Sequence, residues 1–381
     1  GTFHAFGLDI VRRHHRELNL PDAPILFDRS DAIEVLEELL PTLPLVHYRN
    51  IWDPTLVLRD ILDAISRAKD ELVTPDHYRD LSVKMLRAAE TVGDEEKIKA
   101  AQKCLEVADV YDLYEETLND RSAIDFGDLV MRPAMLLSSN TAVKTEIQLR
   151  HRHVLVDEYQ DVNRASAKLV KLISGDSKRL WVVGDARQSI YRFRGASSAN
   201  MAKFAEDYNE PTIDKLEINY RSSKQIVDSF VATAPKMGAS EGMLPLTLVA
   251  NKGPGPAVTE IRRFEMPHDE IEGIGACIEN LKEAEIAYRD QAVLCRTNKR
   301  LNEIAAGLEA RGIPVLHLGS LFEREEIRDL LALLNLAIDP FGDAMVRVGA
   351  MPRYGLTLQD VYQISKTIRD DDVSTLDGLA A

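Results

Sequence analysis

Between residues 9 and 120 apolar positions recur three and four apart with little alternation, which predicts an all-α block. The clearest stretch runs from Asp94 to Asn119, where Ile98, Ala101, Cys104, Leu105, Ala108, Tyr111, Leu113 and Tyr114 describe one long amphipathic helix. Asp53-Pro54 and Thr74-Pro75 each set a capping side chain before a proline at the first helical position. The texture changes near residue 150. HVLVDE (153–158) and LWVVGD (180–185) are short apolar runs that each end in an acid, and they flank a helical stretch from Asn163 to Ser174. That is a βαβ pattern, whose usual outcome is a parallel sheet. A second alternation follows, with strands expected near Lys215–Ile218, Ala257–Phe264, Gln291–Cys295 and Val315–Leu318. Its helices are expected near Ser223–Ala234, Asp269–Lys282, Leu301–Arg311 and Arg324–Ala337. The Gly- and Pro-rich stretch 239–256 reads as a loop inside this second unit.

Composition narrows the class. A chain of 381 residues, 45% hydrophobic and 29% charged, can bury two or three cores. Three scattered cysteines are too few for a disulfide framework or a four-ligand zinc site, so a reducing, cytoplasmic setting is expected. No apolar run approaches the roughly 20 residues of a membrane span, and the opening residues do not resemble a secretory leader. His14, His15, His151 and His153 lack metal-ligand spacing and are expected on the surface or in turns. A net charge of −15 argues against a nucleic-acid partner. Locally the balance inverts: residues 162–205 hold nine basic side chains against two acidic ones, so the average conceals a basic island in an acidic body.

In open α/β sheets ligands gather at the carboxyl ends of strands. Asp157 and Glu158 stand there, after an otherwise apolar run. One carboxylate of such a pair can hold Mg²⁺ through water while the other orients and deprotonates an attacking water, the two tasks of a nucleotide triphosphatase. A bare Asp-Glu pair serves equally well as a helix cap, and the dipeptide alone leaves both readings open.

The surrounding strings decide between them. VDEYQD (156–161), VVGDARQSIYRFRGA (182–196) and LEINYRSS (216–223) resemble motifs II, III and IV of the superfamily 1 DNA helicases of the UvrD/Rep/PcrA type. GTFHAF (1–6) is similar to that family's TFH motif, IDFGDL (124–129) to its DFDDL motif, and LFEREEIRDLLALL (321–334) to its FERxEIKD segment. The resemblance covers nearly the whole chain and is weakest from 9 to 120.

The resemblance implies an α/β fold of two RecA-like parallel-sheet motor domains, both incomplete, with an all-α insertion in the first. The implied boundaries are 1–8 and 121–210 for the first motor domain, 9–120 for the insertion, 211–340 for the second motor domain and 341–381 for the start of an accessory domain. It implies that Asp157 coordinates Mg²⁺, that Glu158 is the general base and that Gln188 touches the γ-phosphate of ATP. Arg221 stabilises charge on the transferring phosphoryl group, Tyr220 stacks on adenine and Asp185 lies on the nucleotide side. For DNA it implies Thr2, His4, Phe126, Tyr191, Phe193 and Arg194, with aromatic faces offered to unpaired bases. Three of these keep a second reading: Phe193 as core, Arg194 as an ion-pair partner or interface residue, and His4 as a buried histidine. Arg187 departs from the family pattern, and no mechanism is assigned to it.

The implied activity is ATP-dependent 3′–5′ translocation on single-stranded DNA or at single-strand/double-strand junctions, in repair or recombination with protein partners of those pathways. No Gly-Lys dipeptide occurs in the chain, so the GxxxxGK[ST] phosphate loop is not in it. With motifs V and VI also missing, the chain reads as a helicase interior that hydrolyses ATP poorly by itself. Two other readings stand beside it: the helicase part of a helicase–nuclease subunit, and a catalytically silent DNA- or partner-binding module. The joint presence of Asp157, Glu158, Gln188 and Arg221 argues for the motor over the silent module.

Overall fold

The computed structural model describes residues 1–43, 45–48, 54–176, 178–190, 201, 203–208, 211–238, 246–255, 259–316, 325–338, 344–349, 351, 353–357, 359–361 and 363–364. The chain divides into two compact units, Gly1–Thr259 and Glu260–Ala381.

The first unit opens with α1 (Phe3–Arg13), capped by the Thr2 hydroxyl, which accepts from the Ala5 N–H at 3.2 Å. Then come β1 (Ile25–Phe27), α2 (Arg29–Leu39), α3 (Pro54–Asp70), α4 (Pro75–Val92) and α5 (Glu95–Asp120). Asp28 and Asp31 form a reciprocal capping box at the start of α2. Thr74 caps α4 as its Thr-Pro signal predicts, whereas Asp53 lies outside the described residues. Leu36 of α2, Leu58, Ile61 and Ile65 of α3, and Val110, Tyr111, Tyr114 and Leu118 of α5 fill one core. Each such aliphatic side chain contributes about 1.5–3 kcal/mol by leaving water.

Next follow β2 (Ala123–Asp125), α6 (Asp128–Ser139), α7 (Thr141–Arg150), β3 (Val154–Val156), α8 (Arg164–Ser174) and β4 (Leu180–Val182). A second core joins Ile10 of α1 to Val130 and Leu137 of α6, Ile147 of α7, and Leu169 and Ile173 of α8. It seats α1 beside the helix that follows β2. The unit ends with α9 (Phe204–Asp207), β5 (Ile218–Asn219), α10 (Lys224–Thr233) and β6 (Val249–Ala250).

Among the described residues the strands form three parallel pairs: β1 with β2, β3 with β4, and β5 with β6. The expected parallel βαβ unit is β3–α8–β4, with Val154 opposite Leu180 and Val156 opposite Val182. Strand β1 stands inside the stretch expected to be purely helical. It is three residues long and pairs with a strand almost a hundred residues away, so no local periodicity announces it.

The second unit contains α11 (Pro267–Glu283), α12 (Asn298–Ala310), α13 (Glu325–Ile338) and α14 (Ala344–Gly349). The first three lie where helices are expected, and α14 is an addition to them. The strands expected near 257–264, 291–295 and 315–318 do not pair among the described residues, and parts of the first and third lie outside them. The 291–295 segment keeps strand-like alternation: Val293 and Cys295 pack on Ile278, Ile304 and Ile313, while Leu294 is 93% exposed. Alternating burial records which face meets the core. A strand also needs a neighbour to bond, which period-2 patterning does not encode.

Candidate nucleotide and DNA site

Two turns at the carboxyl ends of β3 and β4 carry most of the expected chemistry. The strands are extended past their ends by bonds from Val183 N–H to the Val156 carbonyl and from Tyr159 N–H to the Val183 carbonyl, both 2.9 Å. This holds the 157–161 turn against the 184–188 turn. Asp157 and Glu158 are exposed, and the Asp157 carboxylate accepts the Glu158 N–H at 2.9 Å. Glu158 sits in the left-handed region at φ 53°. A non-glycine residue there costs about 1–2 kcal/mol, a strain that typically persists where a side chain must be aimed. Burial, and then the Glu158 charge, raise the pKa of Asp161.

Gln160 joins the two turns, and the motif reading did not single it out. Its side chain is 1% exposed. It donates to Glu158 Oε2 at 2.6 Å and accepts the Asp185 N–H at 3.0 Å. Asp185 in turn accepts from the Gln188 amide at 3.2 Å and the Arg187 N–H at 3.0 Å. One hydrogen-bonded chain therefore runs Glu158–Gln160–Asp185–Gln188. Gly184 permits it, because a Cβ there would stand 2.7 Å from Gln160 Oε1 and 3.1 Å from two backbone nitrogens. The available signal was an amide inside VDEYQD facing a Gly-Asp on the next strand. Arg187 is largely buried with its guanidinium 3.7 Å from Asp185, which gives it a place beside this turn.

Tyr220 and Arg221 stand on a separate turn after β5, both exposed. The Asn219 side chain shapes that turn by accepting the N–H groups of Arg221 and Ser222 at 3.0 and 2.8 Å. The expected DNA residues Tyr191, Phe193 and Arg194 lie outside the described residues.

On another face, α1 and the β2–α6 turn bring His4 and Phe126 together edge to face, with ring centroids 5.9 Å apart. His4 is exposed, although burial of part of its ring holds its pKa below the usual value. Thr2 caps the same helix. His14, by contrast, is buried and not on the surface as expected: it ends α1 with ring nitrogens 3.8 Å from Glu17 and Glu146.

Among the described residues the basic island does not make one face. Arg164, Lys168 and Lys171 form an exposed stripe along α8, partly answered by Glu71 at 3.6 Å and Asp207 at 3.9 Å. Lys178 and Arg179 precede β4, at the end of the strand opposite Asp185.

Residues 1–209 match the UvrD/REP helicase N-terminal domain, and residues 215–377 match the UvrD-like helicase C-terminal domain. The chain belongs to the UvrD/REP helicase family. It is 32% identical to the ATP-dependent DNA helicase Rep of Escherichia coli over 358 residues, which cover 92% of this chain and 49% of Rep. It is 32% identical to the ATP-dependent DNA helicase PcrA of Leuconostoc citreum over 384 residues, 100% of this chain and 48% of that protein. Against the ATP-dependent DNA helicase UvrD1 of Mycobacterium tuberculosis the identity is 33% over 368 residues, 93% and 44%. The chain thus spans about half the length of the curated relatives it matches. No helix among the described residues of this UvrD/REP family chain is long and apolar enough to cross a membrane.

Proposed function

We propose that this chain carries nucleotide- and DNA-contacting parts of an ATP-dependent DNA helicase that moves 3′ to 5′ on single-stranded DNA in repair or recombination. The observation that carries the reading is the bonded chain Glu158–Gln160–Asp185–Gln188 at the carboxyl ends of two parallel strands. Family membership and the names of its relatives support it.

Asp157 suits a divalent cation. It is an exposed carboxylate at a strand end, and among the described residues no Lys, Arg or His is paired with it. When bound there with ATP, Mg²⁺ supplies neutralisation of phosphate charge. Glu158, aimed by its left-handed backbone and steadied by Gln160, takes the proton of the attacking water. Gln188 contacts the γ-phosphate, and Asp185 lies beside it on the nucleotide side. Because Gln188 and Glu158 share one bonded chain, a change at the phosphate is felt at the base. Arg221 stabilises charge on the phosphoryl group and Tyr220 stacks on the adenine. Phe126 and His4 offer ring faces or edges to unpaired bases, Thr2 lies beside them, and Tyr191, Phe193 and Arg194 add to the strand contact.

The test is ATP hydrolysis by the full gene product with and without single-stranded DNA. DNA is expected to stimulate turnover, and Glu158→Gln to lower kcat about 10²–10⁴-fold while ATP still binds. Unstimulated hydrolysis, or a Glu158→Gln variant as active as the parent, overturns the reading.

A further inference from the structure

At the end of α3, Lys69 is 1% exposed, and its Nζ lies 2.5 Å from Glu115 of α5, 2.8 Å from Asp125 at the end of β2 and 3.0 Å from Asp128 at the start of α6. Arg132 adds a second cation, 3.2 Å from Asp128 and 3.4 Å from Glu115, and the Tyr114 hydroxyl donates to Asp125 at 3.1 Å. The three carboxylates could in principle hold a metal ion, but the ammonium already stands among them. Burial opposes the charge on Lys69, yet the three surrounding acids outweigh it and raise its pKa well above the usual value.

Asp125 and Asp128 also cap each other, the Asp125 N–H donating to Asp128 at 3.2 Å and the Asp128 N–H to Asp125 at 3.0 Å. Phe126 is the outward residue of the turn they close. It is 51% exposed and braced against His4. The turn lies directly on the lysine stem, since a Cβ on Gly127 would come within 2.8 Å of Lys69 Cδ. The ammonium thus grips the residue before Phe126 and the residue two after it, while the ring itself remains accessible.

We propose that Lys69 is a positioning residue for single-stranded DNA: its buried ammonium fixes the Asp125–Asp128 turn so that Phe126 and His4 stand as one preset aromatic platform for an unpaired base. Presetting matters because a ring that must be ordered during binding forfeits affinity. The inference rests on the reading of Phe126 as a DNA contact, and the test separates the two.

The chain is titrated into labelled oligo-dT by fluorescence anisotropy across a salt series. Phe126→Ala is expected to weaken binding about five- to hundredfold. Lys69→Met, shown to be folded by far-ultraviolet circular dichroism, is expected to weaken it about three- to tenfold. The slope of log affinity against log salt stays at the parent value, and no further loss appears in the Phe126→Ala background. A folded Lys69→Met with parental affinity overturns the inference, as does a slope shallower by about 0.7, the mark of a direct phosphate contact. Losses that simply add in the double variant also overturn it. If Lys69→Met does not fold, Tyr114→Phe, which deletes only the hydroxyl donated to Asp125, enters the same series: loss at constant slope supports the inference and parental affinity overturns it. A Phe126→Ala variant that binds like the parent removes the underlying DNA reading as well.

Discussion

Two acidic clusters in the first unit behave in opposite ways. Around Lys69, three carboxylates are drawn together in the interior and answered by Lys69 and Arg132. At the end of β3, Asp157 and Glu158 face solvent, and among the described residues no cationic side chain is paired with either. The first cluster has its counterion built into the fold, and the second leaves the position for one open. In the first, burial and the Asp128 charge raise the pKa of Glu115. Asp128 is held below the usual carboxylate range because the cations, Lys69 foremost, outweigh its own burial. Proximity of acids therefore does not identify a cation site. Around Lys69 the protein has already supplied the cation.

The largest test of this contrast is the stability of Lys69→Met. Removing the ammonium leaves the buried Asp128 and the part-buried Glu115 and Asp125 with Arg132 alone, and breaking a buried ion pair from one side costs about 3–5 kcal/mol. Urea unfolding followed by circular dichroism is expected to show a loss of that order. A loss below about 1 kcal/mol would mean that the carboxylates relax into solvent and the cluster is not closed.

The contrast was only half legible in the amino-acid sequence. Asp157, Glu158 and Asp185 could be picked out because each follows an apolar run whose strand character is local, Gln188 came only through the resemblance of residues 182–196 to motif III, and the long helix expected from Asp94 to Asn119 spans Glu95–Asp120. Gln160 could not be assigned its role, because a side-chain bridge between two strands depends on their register, which is set by non-local pairing. Lys69 left a fainter trace. It falls four residues after Ile65, on the face of α3 that buries Leu58, Ile61 and Ile65, so a charge interrupts an apolar stripe. A lysine in that position must find carboxylates on other elements, and the sequence does not say which. Strand β1 and the unpaired extended segments of the second unit mark the same limit, since local pattern specifies a face and not a partner.

Asp70 lies between the two extremes. It follows Lys69 directly, and its carboxylate accepts from the Asn163 amide at 2.6 Å, while Asn163 caps α8 just after the acidic turn. Burial foremost, then the charge of Glu71, raise its pKa from 3.8 to about 6 despite the Asn163 bond. A raised carboxylate pKa means that folding disfavours the charged form. Above pH 6 the folded state carries that penalty, and protonation relieves it as pH falls from about 6 towards 4. Relative to Asp70→Asn, the parent is expected to gain about 1 kcal/mol of stability between pH 7 and pH 5, allowing for the solvent that still reaches the group. Urea midpoints of the two proteins at both pH values give the difference directly. A difference that is flat or of opposite sign would remove Asp70 from the buried side of the comparison.

The smallest expected effect is the most discriminating. Asp157→Asn keeps a side-chain oxygen able to accept the Glu158 N–H that Asp157 accepts at 2.9 Å, and it removes a negative charge adjacent to Glu158. With no ion pair lost, unfolding in urea is expected to shift by less than about 0.5 kcal/mol, and any shift should be towards greater stability because repulsion within the pair falls. The cost of the substitution should appear only when a cation and nucleotide are present, as lost metal-dependent ATP hydrolysis. A loss of stability on the scale of Lys69→Met would mean that Asp157 already has its counterion in the folded protein. The acidic turn would then be a second closed cluster, and the strained backbone of Glu158 would have to be explained by packing and not by chemistry.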